Sequence, residues 1–167
     1  QLAAQAQTLR ELAARVQRPA PRGARQEPAI IPASWVAPAS GSISSSFGAR
    51  DGDGPAAQGA VLRTRQRAQV VSPAAGQVAY AGVFRSYGQV LILNLDGGYV
   101  LVLTGLDTIS ASVGESVRAG QPVGEMPNSA TQAPELYVEV RRQGRPIDPG
   151  RWLTSRALTA ERDARAS

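Results

Sequence analysis

The chain has 167 residues, of which 43% are hydrophobic, carries a formal net charge of +5 and contains neither Cys nor His. That length holds one hydrophobic core and a short extra segment, and the two missing residue types exclude thiol chemistry, disulfides, any Cys/His zinc site and the usual general base near neutral pH. All 18 basic residues are Arg, which excludes Schiff-base catalysis and lysine-attached cofactors, and no cofactor is expected. Exclusive Arg beside abundant Ala is also what a GC-rich genome produces. The basic excess suits an anionic wall polymer, an anionic lipid or nucleic acid; the absence of aromatic–basic interleaving and of any Arg block argues against nucleic acid.

Residues 1–17, QLAAQAQTLRELAARVQ, predict a helix, with no Gly or Pro to interrupt it. Leu2, Leu9 and Val16 fall seven apart, with Leu12 at the d spacing. This is either an ordinary amphipathic helix or the end of a coiled coil. Residues 18–40 hold five prolines and predict an extended linker. Ile30, Ile31, Trp35 and Val36 are too apolar for a solvated tether, so part of the linker is expected against the domain. The chain opens on Gln1 without Met and shows no signal peptide, so it reads as a processed or recombinant piece. The apolar run VLILNL (90–95) is far too short to cross a membrane.

From Gly41 the pattern changes to short β runs separated by Gly-centred turns. GSISSSFG (41–48), AVLRT (60–64), AQVVSPAAG (68–76) and QVAYAGVF (77–84) come first. GQVLILNLDGGYVLVLTGL (88–106) predicts a hairpin around Asp96-Gly97-Gly98. SVGESVRAGQPVGEM (112–126) predicts compact turns crossing a small barrel, and ELYVEVRRQG (135–144) a long last strand. Asp148–Trp152 turns out of the sheet, and 154–167 reads as a tail with some helical character. The spacing predicts an all-β sandwich or barrel of about 125 residues.

The run VGESVRAGQPVGEM (113–126) resembles the hammerhead turn of barrel-sandwich hybrid domains. Biotinyl and lipoyl carriers share that turn, but they need a lysine that this chain lacks. The stretches ISSSFGAR, VVSPAAGQVAYAG, YGQVLILNLDGGYVLVLTGL and ELYVEVRRQGRPIDPGRWL occur in the order found in LytM-type, lysostaphin-like zinc endopeptidases. The resemblance covers residues 41–153 and implies an all-β, LytM-like barrel-sandwich hybrid. Such enzymes carry a His-x-x-x-Asp pair and a His-x-His pair. The resemblance puts the first pair at Ala57 and Val61 and the second at Glu135 and Tyr137, with a further histidine near Gly105. Ala57, Val61 and Tyr137 are therefore degenerate metal-site positions. Glu135 alone offers a ligand oxygen, too few to hold zinc or to generate a hydroxide.

Two explanations of such a site stand: drift of a scaffold kept for packing, or reuse of the groove to hold a partner. LYVEVRRQG at the closing strand resembles the EnvC-like murein hydrolase activators, degenerate LytM domains behind a coiled coil. That resemblance implies a non-catalytic activator of periplasmic N-acetylmuramoyl-L-alanine amidases at division, with the coiled coil docking on the FtsE–FtsX complex. It also implies that a helix can cover the groove, for which residues 1–17 are a candidate. Strand residues two apart share a face, so Tyr137, Glu139 and Arg141 are expected on the groove and Leu136, Val138 and Val140 in the core. Tyr87, Gln58, Glu135 and Arg63 complete the expected partner-binding groove, with Arg50 at its rim. Gln58 departs from the basic residue frequent there. A solvated strand face would explain the same polar residues, and a non-catalytic peptidoglycan-binding module is the alternative function.

Overall fold

The computed structural model describes residues 9, 11–15, 31–50, 56–150 and 152–153. Leu9 and residues 11–15 are helical. The rest of the described chain is built on strands: β1 (Gly41–Ser45), β2 (Ala60–Thr64), β3 (Gln69–Val71), β4 (Gly76–Val83), β5 (Gln89–Leu95), β6 (Tyr99–Leu106), β7 (Thr108–Ile109), β8 (Ser116–Val117), β9 (Pro122–Glu125), β10 (Glu135–Arg142) and β11 (Arg145–Ile147). Residues 1–8, 10, 16–30 and 154–167, parts of the expected helix, linker and tail, lie outside the described residues.

The large sheet has eight strands in the order β1-β2-β10-β6-β5-β4-β8, with β11 paired to β10, and β3-β9-β7 form a second, three-stranded sheet. The sheets do not close into a barrel, which corrects that part of the sequence expectation. The path ends in β1 on one side and in β8, two residues long, on the other. These ends do not pair, so no circular hydrogen-bond register forms.

β5 and β6 form the predicted hairpin, with Gly97 and Gly98 in the left-handed conformation that the tight turn requires (φ 91° and 83°). Both strands read as continuous apolar runs rather than alternating ones, which signals burial on both faces. Leu91, Leu93, Leu101 and Leu103 point into the main core with Leu62, Leu136, Val138 and Val140. Val90, Ile92, Val100 and Val102 point to the opposite face, where Leu9 and Ala13 of the helical segment cover them. Leu9, Leu12 and Ala13 are spaced i, i+3 and i+4, one helical face.

Residues 31–40 lie against the domain as a strap. The Val36 amide donates to Pro73 O, and the Val71 amide donates to Pro38 O. Trp35 is 3% exposed and meets the rings of Tyr99 and Trp152 edge-on, with centroids 4.9 and 5.5 Å away. Such aromatic pairs add to what area burial alone contributes. Trp35→Ala is expected to destabilise the domain by about 3–5 kcal/mol, the range for removing a buried large aromatic side chain, read as a lowered midpoint in urea unfolding.

Candidate functional site

β10 sets the site. Its Leu136, Val138 and Val140 are fully buried in the core, which turns Tyr137, Glu139 and Arg141 to the opposite face. There Tyr137 stands opposite Thr104 of β6 and Val61 of β2, Glu139 opposite Val102, and Arg141 opposite Val100. The polar residues of β10 and the apolar strip of β5 and β6 are therefore two halves of one surface.

Glu139 and Arg141 are only 4% and 6% exposed. Isolated charges are not tolerated at such depth, and both are wired. The Tyr137 hydroxyl donates to Glu139 Oε1 at 2.6 Å. Arg141 Nη1 lies 3.4 Å from Glu139 Oε2 and donates to Gln58 Oε1 at 3.0 Å. Its Nη2 donates to Gly144 O at 2.7 Å. That carbonyl is presented by the β10–β11 turn, in which Gln143 and Gly144 both take left-handed φ.

Tyr137 also fills space. A Cβ on Gly59 would lie 2.8 Å from its Cζ and Oη atoms, so the absence of a side chain at 59 is what admits the ring. Burial, then the charge of Glu139 and the hydrogen bond to it, pushes the Tyr137 hydroxyl far above its ordinary range. Tyr87 is raised in the same direction, first by burial and then by Glu139, which places it within reach of the pair.

Tyr137, Glu139, Arg141 and Gln58 are thus joined in one hydrogen-bonded network, with Tyr87 beside it. Glu135 and Arg63 form a separate pair, 3.7 Å apart with both side chains more than half exposed; it marks the rim and contributes little to stability. Ala57 and Val61 flank the network and offer no ligand atom, and Arg50 is exposed and no part of it. Among the described residues no group of three or more His, Cys, Asp or Glu could hold a metal ion.

The sequence reading missed the apolar half: Val90, Ile92, Val100 and Val102, bordered by Ala79, Tyr80, Phe84 and Tyr87. The signal was present. A strand that is apolar at every position needs a cover on its second face, and the only helix predicted before the β domain is residues 1–17.

The fold and this surface define a LytM-like β domain whose groove is packed with a phenol and an internal ion pair. Residues 56–149 match the model of peptidase family M23, and the chain belongs to that family. It is 31% identical over 123 residues to a lipoprotein NlpD/LppB homolog of Pseudomonas aeruginosa, covering 73% of this chain and 40% of that protein. It is 28% identical to the murein hydrolase activator NlpD of Escherichia coli, covering 73% and 32%. It is 34% identical over 97 residues to the murein hydrolase activator EnvC of Escherichia coli, covering 58% and 23%. The chain therefore spans less than half the length of each of these curated relatives. In fold it is similar to a zinc-containing peptidase from Vibrio cholerae, with a TM-score of 0.59, 24% identity, and coverage of 71% of this chain and 38% of that one.

Tyr137→Phe keeps the ring beside Gly59 and removes only the hydroxyl. It is expected to cost about 1.5–3 kcal/mol, the range for a hydrogen bond to a charged group. The fold raises the phenol above its ordinary 10.0, so the folded chain holds that proton more tightly than the unfolded chain. The contribution is complete below pH 10.0 and declines as the pH rises above it. Urea midpoints measured from neutral to alkaline pH should fall less steeply in the variant.

Proposed function

We propose that this domain is a non-catalytic activator of periplasmic N-acetylmuramoyl-L-alanine amidases, acting in cell division and daughter-cell separation. One observation carries the reading: the surface that the resemblance assigns to metal holds instead the Tyr137–Glu139–Arg141–Gln58 network, continuous with an apolar strip that already binds a helix. The relatives named as murein hydrolase activators support it.

The mechanism needs no bond chemistry in this chain. An amidase helix or loop that blocks the enzyme's own active site moves onto the strip and meets its polar border at the half-buried Tyr137, which the buried Glu139–Arg141 pair holds in place. Activation follows if this domain binds the open amidase better than the closed one. Leu9, Leu12 and Ala13 occupy the same strip, so the chain's own helix competes with the amidase segment. That competition makes the free domain self-inhibited. Contact with FtsE–FtsX belongs to a longer coiled coil, of which residues 1–17 would be the end.

The test is dye release from labelled sacculi. This chain alone should release nothing, with or without zinc, and should raise the release by a periplasmic amidase of the same genome. Release by the chain alone would show a hydrolase. Retention on sacculi without effect on any amidase would favour the peptidoglycan-binding alternative. Leu9→Asp with Leu12→Asp should raise activation severalfold by freeing the strip; unchanged activation would show that the helix is not its cover.

A further inference from the structure

Among the described residues of the helical segment, three belong to the cluster on the strip. Leu9 and Ala13 are buried, to 6% and 1% exposure, and the half-buried Leu12 packs against the same cluster. Glu11, Ala14 and Arg15 are exposed. The contact is therefore made at i, i+3 and i+4, one narrow helical face. Its most deeply buried member is also its smallest.

The floor beneath that face explains why. Val90, Ile92, Val100 and Val102 are all β-branched and all fully buried. Such side chains are stiff at χ1 and do not swing aside for a larger neighbour as a methionine does. The floor is also short. Val90 and Ile92 are two apart on β5, as are Val100 and Val102 on β6. The next residues on the same face are polar: Asn94 opposite Val100, and Thr104 opposite Val90 and Tyr137. Two residues of strand span about 7 Å, and the rise from Leu9 to Ala13 is about 6 Å, so the strip takes little more than one helical turn. Its flanks are fixed as well. Val100 and Val102 stand opposite Arg141 and Glu139, which the polar network ties down. On the β4 side Tyr80 stands opposite Ile92, and its hydroxyl donates to Val83 O.

We propose that the strip selects its occupant by size: the amidase segment it accepts is an amphipathic helix with large apolar side chains at i and i+3 and a small one at i+4, the pattern of Leu9, Leu12 and Ala13. The small residue is the discriminating position. A methyl group there lets the helix backbone come down on four stiff side chains. A longer side chain overpacks the same space and holds the helix off the floor, although it makes the helix more apolar. This inference rests on the activator reading and adds to it the pattern by which the groove tells one amphipathic helix from another.

The experiment has two arms. The chain has no Cys, so a Val90→Cys background places a single thiol under the helix, and its labelling rate by a soluble disulfide reagent reports uncovering of the strip. In that background Ala13→Leu and Ala14→Leu add the same side chain to the buried and to the exposed face of the helix. Ala13→Leu should raise the labelling rate about tenfold, the effect of mild overpacking. Ala14→Leu should label at the parent rate, and melting of each chain shows that all three are folded. In the second arm, the Leu9→Asp, Leu12→Asp chain activates dye release by a periplasmic amidase of the same genome, and peptides with the sequence of residues 1–17 are added as competitors. The parent peptide should block activation at about tenfold lower concentration than its Ala13→Leu form and at the same concentration as its Ala14→Leu form. Equal labelling of the three chains, or an equal effect of the three peptides, overturns the inference and leaves the activator reading intact. Absence of activation by the chain, covered or uncovered, with the labelling difference retained, overturns the activator reading and keeps the size rule.

Discussion

A carboxylate almost wholly removed from water organises this domain. Glu139 is tolerated on the groove face because a phenol and a guanidinium both donate to it, and that guanidinium is fixed by Gln58 and Gly144. Each partner fixes the next, since an unmet donor or acceptor at this depth is expensive. The network ties β10 to the segment before β2 and to the β10–β11 turn. The Tyr137 ring fills the space over Gly59.

The second organising constraint is that β5 and β6 are apolar on both faces. One face joins the core. The other must also be shielded from water, and the helical segment shields it. Such a surface is never neutral toward helices: exposed, it attracts any amphipathic helix of matching pattern. Competition between an internal helix and an external one is the physical basis of the proposed activation. The polar network beside the strip adds direction to a contact that apolar packing alone would leave permissive.

Much of this was legible in the residues. Short apolar runs between glycines gave the strands, Asp96-Gly97-Gly98 gave the hairpin, and the period of two in LYVEVRR put Tyr137, Glu139 and Arg141 on one face. The absence of His and Cys is a matter of composition. Closure was not legible, because it depends on whether the two end strands meet, and no local pattern encodes that. The pairing of Glu135 with Arg63, apart from the network, was also hidden, since it follows from the antiparallel register of β2 on β10.

By itself the sequence determined which chemistry this chain lacks and which faces its strands present, because side-chain inventory and backbone period are local properties. Only the tertiary structure decided that Gln58, from a loop, would complete a site built on β10, and that Leu9 and Ala13 would lie on Val90 and Val102. These are contacts between residues far apart in the chain, and they exist only once sheet order and register are fixed.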